Sequence, residues 1–396
     1  MKNIIRFIFF SFFIIIHIVH GRGDPLLVVS IMVKNEEHVI EKTLMPFLSA
    51  GVNAFVVFDT GSTDNTVACV KKWYKKHPHI RGYIVQEEFV DFATSRNRAL
   101  DLVDIYFPQA TFTLMLDAEW YMHNVEDLCN VCQQEQYNEN ISAYLVRLVA
   151  SHNAWYQGRL MRCASHVRFV GPVHEVPDRI VTEKIPPSIF FSIEPTRLGH
   201  AKTRQRWLRD CEVLLKEHEK NSYDPRTVFY LGQTYDCLEQ YEHAYYWYQK
   251  RVHMRGWNQE TFVALYRLGM VTEHLMDLDP EKYTWQDALS WYLAAYQFRP
   301  SRAEPLYKIA SYYWQQKQYA LCYFFAKQAC EISYPIHDWL FIDGDMYYWE
   351  RYDLLGCCAW YVQEYEVGKN AILKALEVKC THSRLLKNLE WYESAM

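Results

Sequence analysis

Near residue 200 the sequence changes its period, and no single layer of secondary structure satisfies both halves. Before that point short apolar β-type runs alternate with helical stretches. Strands are expected at 26–32, 54–58, 80–85 and 111–116, and helices at about 35–50, 63–76 and 92–106. That order predicts the α/β class, with a mostly parallel sheet covered by helices on both faces. Beyond about residue 201 strands nearly vanish and an all-α pattern takes over. A length of 396 residues fits this division, since domains commonly hold ~100–200 residues. The expected organisation is a leader at 1–23, an α/β domain at 24–200 and a helical domain at 201–396.

The helical half is weakly self-similar. Leu231-Gly232, Leu268-Gly269, Ile309-Ala310 and Leu355-Gly356 align, with their small members 37, 41 and 46 positions apart. Tyr241, Tyr319 and Tyr365 fall nine positions after a small residue, and Ala244, Cys322 and Gly368 twelve after. Small residues let paired helices approach closely, and the segments resemble degenerate tetratricopeptide repeats, whose unit is ~34 residues. Stacked helical hairpins of this kind bind peptides or brace a neighbouring domain. The aromatic content of 16% is concentrated in this half, where the rings are expected to pack helices together.

With 50% hydrophobic residues, 22% charged residues and a formal charge of −5, the chain is ordinary globular protein with no electrostatic reason to bind nucleic acid. Lys2 and Arg6 frame the start of an apolar run that reaches Val19 and reads as a secretory signal. It is shorter than the ~20 residues that span a bilayer, so cleavage and an uncleaved membrane anchor both remain open. Either outcome places the body in the secretory pathway, exported or membrane-tethered. Eleven cysteines, an odd number, fit no compact disulfide framework, and Cys129-Asn-Val-Cys132 lacks the second pair that a zinc site needs. Asn140-Ile-Ser142 is a glycosylation sequon, relevant if the chain enters a eukaryotic secretory lumen.

Two acidic clusters follow β-type runs: Val-Val-Phe-Asp59-Thr-Gly-Ser-Thr-Asp64 and Leu-Met-Leu-Asp117-Ala-Glu119-Trp120. The carboxyl ends of strands are where open α/β sheets bind ligands. Ser62, Thr63 and Asp64 also suit a helix N-cap, which accounts for Asp64 better than for Asp59. Taken with Val29-Ser-Ile-Met-Val-Lys34-Asn35-Glu36-Glu37 and Asp91-Phe-Ala-Thr-Ser-Arg96-Asn97, the blocks resemble, in order, glycosyltransferase family 2 in its branch with C-terminal tetratricopeptide repeats.

That resemblance implies a GT-A domain binding a nucleotide-sugar, with a UDP-sugar as donor, a protein or glycan as acceptor, and inversion at the transferred carbon. Asp59 would meet the base, Glu36 or Glu37 the ribose and Arg96 the nucleotide. Asp117 and Glu119 would hold Mn²⁺ or Mg²⁺ on the diphosphate. The family motif ends in acids where this chain reads Glu119-Trp120, which puts direct metal coordination in doubt. Val167-Arg168-Phe-Val-Gly171-Pro-Val-His174-Glu175 resembles a late catalytic block, with Glu175 as acceptor base. His174 would orient it, contact phosphate or simply be buried. His200 stands where a metal-binding histidine would fall. The basic group Lys202, Arg204, Arg206 and Arg209 reads as a phosphate contact or a solvated helix face. A second reading is a catalytically inactive transferase-like domain that acts with the repeats as a protein-binding scaffold.

Overall fold

The computed structural model describes residues 24–150, 153–179, 183–193 and 197–395, and the leader lies outside them. The chain divides into two compact units. The first runs to Val149 and resumes over Tyr156–Pro195, and the second comprises Ala150–Trp155 with everything from Thr196.

The first unit opens with β1 (Leu27–Val33), α1 (Ile40–Ser49), β2 (Ala54–Asp59), α2 (Thr66–Lys76), β3 (Arg81–Gln86), α3 (Phe92–Tyr106) and β4 (Phe112–Asp117). β1, β2 and β4 are buried along almost their whole length, so they read as continuous apolar runs rather than alternating ones. Val28, Val56, Phe58 and Met115 share a core with Ala99, Leu102 and Val103 of α3. Asp91 caps α3 by accepting the Thr94 amide at 2.7 Å. These strands pair in parallel in the order β3-β2-β1-β4. Opposite the end of β1, Val33 faces Asp59 and Met32 faces Asp117, which sets both acids at carboxyl ends of strands flanking β1.

Residues 120–193 correct the expectation of a mostly parallel sheet. They form β5 (Trp120–His123), α4 (Val125–Glu135), β6 (Ala143–Ala150), β7 (Asn153–Arg162), β8 (Phe169–Val170), β9 (Val176–Pro177), β10 (Glu183–Lys184) and β11 (Phe190–Ile193). β7 runs antiparallel to β4, and the sheet continues β7-β6-β11-β5, with β11 antiparallel to β5 and parallel to β6. Several of these strands are only two to four residues long, too short for a period-two pattern to be read. The sheet is mixed, and a GT-A nucleotide-sugar domain, expected on a mostly parallel sheet, is not what this unit clearly presents.

The second unit is a helical repeat. α5 (Arg197–Lys220) precedes four hairpins: α6 (Pro225–Cys237) with α7 (Tyr241–Val252), α8 (Asn258–Leu278) with α9 (Trp285–Phe298), α10 (Glu304–Gln315) with α11 (Tyr319–Glu331), and α12 (Arg351–Tyr361) with α13 (Tyr365–Val378). α14 (Ser383–Ala395) follows. The aligned small residues seat the second helix of each hairpin. A Cβ added at Gly232 would stand 2.6 Å from the Tyr248 ring, one at Gly269 2.4 Å from that of Tyr292, and one at Gly356 2.4 Å from Ile372. Three hairpins turn alike. Glu239, Lys317 and Gln363, each seven positions past the small residue, adopt left-handed φ of 60°, 56° and 63°. The next amide reaches back to Tyr235, Tyr313 or Ala359 at 2.9–3.0 Å, as in a Schellman motif.

Every second helix then begins on an aromatic residue that meets the following hairpin or α14. Tyr241 stacks on His274 at 4.4 Å, Trp285 on Tyr312 at 3.5 Å and Tyr319 on Tyr361 at 3.8 Å, while Tyr365 meets Tyr392 edge-on at 6.4 Å. The widest repeat spacing comes from the connection after α11. Asp338 in that connection accepts Arg302 at 3.3 Å and also pairs with Arg299, and Gln259 accepts the amides of Trp339 and Leu340 at 2.9 and 3.0 Å. Buried charges are tolerated when so paired.

Candidate functional site

In the first unit the carboxyl ends of β2 and β4 and the start of α3 bring the singled-out residues together. Asp59 is fully buried and accepts the Ser62 amide at 3.2 Å, the Ser62 hydroxyl and Gln86 Nε2 at 3.0 Å. Its carboxylate therefore ties the β2–α2 turn to the end of β3. The same turn is stitched to the β1–α1 loop: Glu36 donates its amide to Thr66 Oγ1 at 2.7 Å, and Asn35 Oδ1 accepts the Thr63 amide at 2.7 Å. Asn35 itself holds a left-handed φ of 60°. Asp64, one residue before the Asn65 N-cap of α2, accepts the Thr66 amide at 2.9 Å and hydroxyl at 2.5 Å and is held below the ordinary carboxylate range; burial opposes this, but the hydrogen bonds outweigh it.

Arg96 is the centre of the cluster. Only 3% exposed, it reaches both Asp117 oxygens at 2.8 and 2.9 Å and Glu175 Oε1 at 2.5 Å. Arg159 on β7 approaches the same Glu175 oxygen at 3.5 Å, is held by Gln157 at 2.8 Å, and lies over the Trp120 ring at 4.7 Å. Trp120 itself is buried against Phe191. Burial would lower the Arg96 pKa, but Asp117 and Glu175 raise it above the ordinary range. Arg159 has fewer acid contacts, and burial together with Arg96 lowers it to about 10. Burial would raise Glu175, yet the two guanidinium groups hold it below the usual carboxylate range. Where the resemblance implies a base, the geometry supplies a counter-ion.

From sequence, Arg159 stands out only as part of Arg159-Leu-Met-Arg162 ahead of the Val167–Glu175 block, with no role assigned, and Gln157 does not stand out at all. The available signal is Arg159-Leu160-Met161-Arg162, in which the buried Leu160 and Met161 belong to a strand that also buries both arginines. His174 sits beside Glu175 at a left-handed φ of 52° and is exposed. Glu119 lies in the turn between β4 and β5, where the Ala118 carbonyl accepts the Thr43 hydroxyl. The side chains of His200 and Lys202 fall outside the described residues, whereas Arg204, Arg206 and Arg209 are exposed on α5. Among the described residues no three His, Cys, Asp or Glu side chains converge as metal ligands, and Asp117 already neutralises Arg96.

In the second unit the first helices of the four hairpins present equivalent positions. One position past the small residue stand Gln233, Met270, Ser311 and Cys357; three further on stand Asp236, Glu273, Trp314 and Trp360. All eight are half-buried. Residues three apart share a helix face, so each hairpin contributes a corresponding pair. Burial pushes the Asp236 carboxyl above its ordinary range, against the pull of Arg267 and His274.

No protein-family model matches the chain, and no curated protein matches it. Among solved structures it is similar to the C-terminal part of a TPR repeat-containing protein from Cytophaga hutchinsonii, at 17% identity over 45% of this chain and 61% of that one, with a TM-score of 0.35. It is similar also to MamA from Desulfovibrio magneticus RS-1, at 17% over 46% and 95% with a TM-score of 0.33. For PilF of Pseudomonas aeruginosa the figures are 11%, 47%, 72% and 0.34. The tetratricopeptide-like reading of the second unit rests on its own hairpin register. The resemblance to glycosyltransferase family 2 is corrected: no family model and no curated relative supports it. Enzyme identity, a nucleotide-sugar donor and manganese-assisted sugar transfer are withdrawn with it.

Proposed function

We propose that the chain is a protein-binding scaffold whose second unit receives an extended segment of a partner across the first helices of its hairpins. The observation that supports this is the shared register of Gln233, Met270, Ser311 and Cys357, backed by Asp236, Glu273, Trp314 and Trp360. A segment crossing the helices meets hydrogen-bonding groups, carboxylates and apolar surface at recurring positions, the kind of surface that helical solenoids use for recognition. In the first unit, Asp117 and Glu175 serve as counter-ions that hold the sheet ends to α3 and β7.

Extended peptides selected from a display library on the full chain test the reading. Met270→Arg and Ser311→Arg should each weaken a selected peptide at least tenfold, about 1.4 kcal/mol, measured at a temperature where circular dichroism shows each variant as helical as the parent. Failure to select any peptide, or variants that bind as well as the parent, would overturn it.

A further inference from the structure

The turn between α4 and β6 carries a feature that neither the ion cluster nor the repeat surface uses. Arg162, 8% exposed, sits beneath this turn and donates to four of its carbonyls: Glu135 at 2.6 Å, Asn138 at 2.7 Å, Gln136 at 2.9 Å and Ile141 at 3.4 Å. The backbone is satisfied from below, and Ile141 is buried. On the outer side Asn140 is exposed and Tyr137, three residues earlier, is 86% exposed. Asn140-Ile141-Ser142 is the one sequon in the sequence.

We propose that Asn140 carries an N-linked glycan whose first sugar lies against the Tyr137 ring. The proposal rests on delivery of the chain by its leader into a lumen that holds a lipid-pyrophosphate-linked oligosaccharide and the transferase that uses it. There the Asn140 side-chain nitrogen forms a bond to the sugar's anomeric carbon. The bond from that carbon to the pyrophosphate oxygen breaks, the lipid pyrophosphate departs, and the amide proton passes to the transferase's base. Asn-x-Ser is the acceptor pattern for this chemistry. Tyr137 supplies the second half of the argument, because an aromatic face with a negative quadrupole attracts the C–H groups of a sugar ring. A turn already pinned by Arg162 holds that ring and Asn140 in one short segment without further ordering.

The full chain with its own leader, produced in a eukaryotic secretory host, should lose a glycan's mass on treatment with peptide N-glycosidase. Asn140→Gln and Ser142→Ala should show no such loss. Parent protein of unmodified mass would overturn the proposal. Enzymatic removal, which leaves Asp at 140, should lower Tm by about 2 °C, and in Tyr137→Phe that difference should persist. In Tyr137→Ala it should shrink to less than half. An equal difference in Tyr137→Ala and parent would overturn the ring contact.

Discussion

Arg96 shows how much of the first unit hangs on one side chain. Its guanidinium is buried between Asp117 and Glu175, residues 21 and 79 positions away in sequence. Removing one partner of a buried ion pair leaves uncompensated charge, at a cost of about 3–5 kcal/mol. Arg96→Met should therefore lower stability by that amount in a urea titration, whereas Arg98→Met, which breaks a half-exposed pair with Glu87, should cost less than about 1 kcal/mol. Glu175 gives a pH dependence of definite sign. Its folded pKa lies below the ordinary 4.5, so its contribution is present above about pH 4.5 and is lost as pH falls through the folded value. Urea titrations from pH 7 to 3 should show this loss in the parent and a flatter profile in Glu175→Gln. Arg96, Asp117 and Glu175 were each visible in the sequence as residues with chemistry. Their mutual pairing was not, because it depends on how β4, α3 and the β8–β9 connection converge.

The elements of the helical half were legible where small and aromatic residues mark contacts. Tyr241, Tyr319 and Tyr365 were found from spacing, and each opens a second helix. Trp285, their counterpart, was hidden by seven extra positions between Gly269 and α9. The left-handed turns escaped notice as well, since Glu239, Lys317 and Gln363 are not the Gly or Asn that usually announce such a cap. This implies a gain on substitution: Glu239→Gly, Lys317→Gly and Gln363→Gly should each stabilise the chain by about 0.5–1 kcal/mol, the left-handed penalty less the added freedom of the unfolded glycine. Thermal melts of the single and triple variants check it. Gly269→Ala has the opposite sign. Its methyl group meets the buried Tyr292 ring and should cost about 1–3 kcal/mol. In the background of Tyr292→Leu much of that penalty should disappear, as a double-mutant cycle would show. The strands at 120–193 were missed for another reason: their partners, not their own pattern, make them strands.

On the scale of the molecule, the two units have separate cores: Val28, Val56, Phe58 and Met115 with α3 in one, and Trp285, Tyr292, Ile309 and Met346 among the residues of another. Chains with more than one such core need not unfold in one step. Hydrogen exchange followed by mass spectrometry should therefore find Arg96→Met accelerating exchange chiefly in β1, β4 and α3, and Gly269→Ala chiefly in α8 and α9. Uniform acceleration by either variant would show a single cooperative unit. The aromatic joints of the repeat carry a consequence for heritable change. Each joint links a hairpin to the element that follows it, and the additional residues lengthen the end of α8 and the connections before α9 and after α11. Duplication or loss of a whole hairpin would preserve the grammar of the joints, whereas a one-residue deletion inside a helix would put every contact beyond it in that helix out of phase. Length can drift here in blocks and in loops, and the lineage of such a chain should record its history as changes in hairpin number.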